Sequence, residues 1–120
     1  MIHHIYKPSI IPAAGTGGKK IEEFFGRVNS NTNEVSIAKM TSPYGWIEPP
    51  QKPHFNEYTL VLKGKLKVKT KDIDYIIEEG QAILTGEDEW VQFSTPFEGG
   101  AEYIAICLPA FSPDLVNRNE

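Results

Sequence analysis

The sequence predicts an all-β fold, a barrel or sandwich of short strands, and three observations predict it. Segments of four to eight residues with alternating apolar character recur from Val35 to Leu108. Gly, Pro, Asn and Asp clusters separate them at short, regular intervals, the pattern of antiparallel architectures. The longest connection, Ser42–Pro53, holds Pro43, Gly45, Pro49, Pro50 and Pro53, which exclude a helix and preset much of its backbone.

The elements follow in order. Residues 1–33 read as an N-terminal arm or loop, broken by Pro8, Pro12 and the run Gly15-Thr16-Gly17-Gly18. That run precedes Lys19-Lys20 but lacks the GxxxxGK[ST] spacing of a phosphate loop. Lys20–Phe25 fits either one helical turn or an edge strand, with Ile21, Phe24 and Phe25 pinning it to the body. Strands are predicted at Val35–Met40, Glu57–Leu62, Lys65–Thr70, Ile73–Glu78, Gln81–Thr85, Glu89–Ser94 and Glu102–Leu108. Residues 109–120 read as a C-terminal extension that covers the body with Phe111 and Leu115. The 120 residues fit one domain, with neither a repeat nor a linker.

Composition narrows the functional classes. With 12 Lys+Arg against 16 Asp+Glu the formal charge is −4, unfavourable for a nucleic-acid partner. The one basic stretch, Lys63 to Lys71 at alternate positions, reads as the wet side of strands. A single Cys excludes an internal disulfide and fits a reducing, cytoplasmic setting. No apolar stretch is long enough for a membrane span, and Met1–Ile10 lacks the apolar core of a secretory signal.

The segment around Lys63-Gly64 is the most informative. Read as a tight turn, it makes Glu57–Leu62 and Lys65–Thr70 a hairpin. One face then carries Glu57, Thr59, Val61, Leu66, Val68 and Thr70, and the other carries Tyr58, Leu60 and Leu62 beside the lysine stems. Glu57 therefore points inward among apolar residues, where a carboxylate needs a partner or a ligand. The apolar outer face calls for a cover, and a homodimer is the preferred one.

The spacing Gly45-x5-Gln51-x-Pro53-x3-Glu57-x6-Gly64 resembles the first motif of the cupin superfamily, GxxxxxHxHxxxExxxxxxG. Gly80, the strand Gln81–Thr85 and the turn Gly86–Glu89 before Trp90-Val91 are similar to its second motif. The resemblance spans Glu34–Leu108 and implies a double-stranded β-helix, a jelly-roll barrel with a pocket between its sheets. It also implies where metal ligands would stand. Glu57 keeps its position, whereas Gln51, Pro53 and Val91 occupy the three histidine positions.

On these grounds neither a metal nor another cofactor is expected. The leading expectation is a small-molecule-binding protein in which Gln51, His54 and Glu57 orient a small polar or amphipathic ligand. Tyr44 and Trp46 are candidates for the mouth, and Trp90 and Tyr103 for the pocket or core. The alternatives are an isomerase, epimerase or lyase using Glu57 and His54 for proton transfer, or a weakly metal-dependent cupin enzyme drawing on Gln51, His54 and Glu57. Cys107, within an apolar strand, reads as a buried, inert thiol.

Overall fold

In the computed structural model, which describes residues 1–118, strands pair only antiparallel and divide between two sheets that share one long strand. The strands are β1 (Ser9–Ile11), β2 (Lys20–Phe25), β3 (Ser36–Ser42), β4 (Trp46–Ile47) and β5 (Asn56–Lys69). After them come β6 (Asp74–Glu78), β7 (Ala82–Thr85), β8 (Gln92–Thr95), β9 (Ala101–Leu108) and the single helical turn α1 (Pro113–Val116). The first sheet runs β1-β2-β3-β9-β5, with β7 on the far side of β5. The second runs β4-β8-β5, with β6 beside β5. Together they form the curled, open jelly-roll arrangement that the sequence predicts.

The shared strand corrects one expectation. Lys63-Gly64 is not a hairpin turn: the chain runs straight through it as the 14-residue β5. Residues Asn56–Gly64 pair with β9, whereas Lys65–Lys69 pair with β6 and Lys67–Lys69 also with β8. The physical device is a bulge. Val61 faces Tyr103 and Lys63 faces Glu102, which leaves Leu62 as the extra residue. Gly64 follows with φ +79, and a Cβ there would run into the Gly100 carbonyl oxygen.

A one-residue bulge reverses the alternation of a strand just as a two-residue turn does, so the face assignment survives the wrong topology. Thr59, Val61, Leu66 and Val68 are buried, and Tyr58, Leu60 and Leu62 are exposed. The lysines stay outside, where Lys65 meets Glu78 at 3.9 Å and Lys67 meets Asp74 at 3.6 Å across the β5–β6 ladder.

The main core gathers Trp46, Val61, Leu66, Val68, Ile77, Val91, Phe93, Ala101 and Tyr103. A second cluster holds Phe55, Cys107 and Val116, with Phe111 and Leu115 packed against it. Fully burying one such side chain stabilises the fold by about 1.5–3 kcal/mol. Extension residues thus complete a core, as α1 turns Leu115 and Val116 inward; residues 119 and 120 lie outside the described part of the chain.

The predicted N-terminal arm contains strands. β2 pairs along β3, settling Lys20–Phe25 as a strand, and β1 pairs along β2. The Gly-rich run is ordered too: Thr16 and Ile47 exchange backbone hydrogen bonds of 2.9 and 3.1 Å. Gly17 lies so close to Trp46 that a Cβ would meet its Cα at 2.7 Å. This strap lays the next residue but one, Lys19, into the interior.

Candidate functional site

A cavity of about 50 Å³, measured as the space open to the centres of water-sized molecules, lies among residues of both core clusters. Its apolar wall includes Ile21, Met40, Phe55, Phe93 and Phe111. Its polar wall is Lys19, Glu48, Gln51, Glu57 and Arg118, with the carboxylate of Glu23 nearby. Four segments supply the polar wall, Glu48 and Gln51 both coming from the Ser42–Pro53 connection.

Glu57 comes from the start of β5, on the inward face. Burial pushes its carboxyl pKa up, against the opposing attraction of the Lys19 ammonium. Glu48 continues the alternation of β4, in which Trp46 points in and Ile47 points out. Its backbone N–H donates to the Phe93 carbonyl at 3.3 Å, and its own carbonyl accepts from Gln92 Nε2 at 2.9 Å. Burial raises the Glu48 pKa to about 7; Lys19 and Arg118 oppose the rise, and Glu57 adds to it. Glu48 Oε2 is buried and has no hydrogen-bond partner among the described residues.

Lys19 is seated by aromatic rings. Its Nζ lies 4.3 Å from the Trp46 ring centroid and 5.3 Å from that of Tyr103, both within cation–π range. Burial works against its charge, but the pull of Tyr103, Glu48 and Glu57 outweighs it and the net pKa is raised. Gln51 is held by paired 2.9 Å backbone bonds with Val91 and forms a further bridge with Arg118. Lys52 N–H to Asn117 and His54 N–H to Leu115 continue that ladder at 3.1 and 2.8 Å, drawing the tail across the site. Arg118 Nε is buried without a partner among the described residues.

Of the residues singled out in the sequence, Gln51 and Glu57 meet in this cavity. Trp46 and Tyr103 are buried in the main core and touch the site by flanking Lys19. Trp46 Nε1 donates to the Ala14 carbonyl at 3.2 Å, and the Tyr103 hydroxyl lies 2.9 Å from Ser42 Oγ. Tyr44 is exposed at 64%, and the half-buried Trp90 does not line the cavity.

His54 is outside as well. It is exposed, with Nδ1 2.7 Å from Asp88 Oδ1. Facing alternates along this segment, with Gln51, Pro53 and Phe55 buried and Lys52 and His54 exposed, so His54 turns to the surface while Glu57, three residues on, lines the cavity. The two do not form a proton-transfer pair in this arrangement.

Lys19, Glu48 and Arg118 escape sequence reasoning. Glu48 had a legible signal, since a strand with Trp46 inside puts position 48 inside too. Lys19 and Arg118 sit in segments without periodicity, and only tertiary structure brings them in. Cys107 is buried against the cavity, and burial raises its thiol pKa well above 9.0, as an inert thiol requires.

A transition metal fits this donor set badly. At the cupin ligand positions Gln51 and Glu57 offer one amide and one carboxylate and Pro53 and Val91 no side-chain donor, and among the described residues no imidazole lines the cavity. Among the described residues no group of three or more His, Cys, Asp or Glu side chains is placed to hold a metal ion.

No family model matches the chain. A stretch of 100 residues, 83% of the chain, is 36% identical to the endoribonuclease YbeY of Myxococcus xanthus (strain DK1622). It spans 34% of that protein, so the chain corresponds to about a third of the curated relative it matches.

Solved structures give the wider comparison. An oxalate decarboxylase variant of Bacillus subtilis superposes with TM-score 0.78 at 13% identity, over 98% of this chain and 33% of that one. The polyketide cyclase RemF of Streptomyces resistomycificus gives 0.76 at 15%, covering 98% and 85%. An RmlC-like cupin from Shewanella frigidimarina gives 0.72 at 16%, covering 90% and 89%. At such identities the likeness is one of fold. The chain thus has the cupin-type jelly-roll fold, with Gln51, Pro53 and Val91 standing where the cupin motifs carry histidine.

Proposed function

We propose that the protein binds a small polar or amphipathic molecule in the cavity between its sheets, without the usual cupin metal centre. One observation carries this reading: Glu48, Gln51, Glu57, Lys19 and Arg118 converge from four segments on one apolar-backed cavity. Bringing charges there is costly unless something answers them, and among the described residues nothing answers Glu48 Oε2. Glu57 and Gln51 orient the ligand in this reading; His54, Tyr44 and Trp90 do not touch it in this conformation. Trp46 and Tyr103 act by holding Lys19.

The test is a fragment screen by ligand-observed NMR on the full chain and on Ala38→Leu, whose added methyl groups fill the cavity. Hits that disappear in the filled variant support the reading. Hits that persist unchanged, or an absence of hits in the wild type, refute it.

The rise of Glu48 to about 7 beside Glu57 favours a second reading, a lyase or isomerase whose proton transfers run through those two carboxyls. Its mark is exchange of a bound ligand's C–H proton with solvent deuterium, lost in both Glu48→Gln and Glu57→Gln. The endoribonuclease name of the Myxococcus relative is not carried over. A cavity of about 50 Å³ is small for a nucleotide, and we assign nuclease chemistry to the part of that protein this chain does not span. We further infer a homodimer joined through the exposed face of the first sheet. A cytoplasmic location is inferred from the single thiol; among the described residues no helix is long and apolar enough to cross a membrane.

A further inference from the structure

We propose that the cavity's ligand is a small zwitterion carrying a primary ammonium and a carboxylate, an α-amino acid of glycine or alanine size. The proposal rests on the small-molecule reading above and specifies its ligand.

Two basic and two acidic side chains line one cavity: Lys19 and Arg118, Glu48 and Glu57. The remaining acid, Glu23, is already engaged, with Oε2 accepting from the N–H groups of Val28 at 3.0 Å and Asn29 at 2.8 Å. Among the described residues no ion pair joins either cation to Glu48 or Glu57. The four charges therefore face the same space without meeting in it.

Two of their atoms state what is missing. Among the described residues, Glu48 Oε2, a buried acceptor, has no donor, and Arg118 Nε–H, a buried donor, has no acceptor. A molecule that satisfies both must bring a donor to the acids and an acceptor to the cations. Charge selects further. With the Glu23 carboxylate met by the Val28 and Asn29 N–H groups, the other four groups sum formally to zero, so a zwitterion adds no net charge to them, whereas a simple anion or cation does.

Size and shape set the rest. A water-sized centre occupies on the order of 10–15 Å³, so about 50 Å³ takes only a handful of linked heavy atoms. The apolar wall of Phe55, Phe93 and Phe111 suits a hydrogen or a methyl group on the α-carbon.

The experiment is isothermal titration of the full chain with L-alanine, glycine, lactate, propionate and alaninamide. L-Alanine or glycine is expected to bind, with lactate, propionate and alaninamide each weaker by about tenfold or more, since each lacks one of the two charges. Glu48→Gln and Lys19→Met are each expected to weaken L-alanine by about tenfold or more, and Ala38→Leu to abolish its binding.

Lactate or alaninamide binding as tightly as L-alanine overturns the proposal and leaves the small-molecule reading standing. Silence from both amino acids also overturns it, and the fragment screen then decides separately whether the cavity binds anything. The wild-type selectivity series is decisive even if a charge variant fails to fold, which far-UV circular dichroism reports.

Discussion

Glu48 is a carboxyl whose proton the folded chain holds far more tightly than the unfolded chain does. Its pKa rises from 4.5 to about 7 on burial, and Glu57 shifts in the same direction. For a raised acid, the stabilisation is complete below the unfolded value and is lost as pH climbs through the folded one. Stability should therefore fall between about pH 4.5 and 7, by roughly 3 kcal/mol for Glu48 alone. Urea unfolding at pH 4.5 and pH 8 checks this. Glu48→Gln should match the wild type at the lower pH and exceed it at the higher, by up to about 3 kcal/mol. A wild type equally stable at both values contradicts the assignment. Residue alternation made the inward facing of Glu57 legible in the sequence. The same rule would have found Glu48 had Trp46-Ile47 been read as a strand, but the flanking prolines masked those two residues as loop. His54 misled for a related reason: it is near Glu57 in sequence, but three residues is an odd separation, and alternation puts the two on opposite faces.

Among the elements, β5 shows how a correct pattern can carry a wrong topology. Alternation inverts at Leu62–Gly64, and both a hairpin and a bulge produce that inversion. What separates them is the partner of Lys65–Lys69, a long-range fact absent from local sequence. The bulge makes a sharp prediction about two glycines with nearly the same backbone angle. Gly64 at φ +79 abuts the Gly100 carbonyl, whereas a Cβ added to Gly80, at φ +82, would meet nothing within 4 Å. Gly80→Ala should cost about 1 kcal/mol from backbone strain alone, and Gly64→Ala about 3 kcal/mol or more from strain and collision together. Denaturant midpoints measure the difference; equal losses would mean that the close crossing of β5 over the Gly100 loop is not needed. Strands β3 and β6 to β9 were legible within a few residues because their turns are punctuated by Gly, Asp and Asn, whereas the sequence of β2 fits a helical turn as well as a strand and that of β4 lies among loop-forming prolines. β1 was not legible, being only Ser9–Ile11 and defined by its pairing with β2.

At the level of the whole molecule, the first sheet keeps one face for the cavity and leaves the other open. Tyr58, Leu60, Leu62 and Leu84 are each more than 40% exposed there, beside Ile104 and Ile106. Patches of this kind on small proteins mark contact surfaces, and a second copy of the chain is the occupant we infer. Light scattering after size exclusion should find two chains per particle, and Leu60→Glu should reduce that to one. A wild type that elutes as one chain at micromolar concentration removes the inference. The all-β class was legible from strand spacing and the jelly roll from the cupin resemblance, yet the cavity's charge was not, because Lys19 and Arg118 lie far apart in the sequence. That placement also orders events as the polypeptide leaves the ribosome. The strands of both sheets are in place once Leu108 has emerged, while Val116, which closes the second core cluster, and the Arg118 guanidinium of the cavity wall arrive only with the residues that follow. A nascent chain thus holds all its strands before its second core cluster and its cavity are finished.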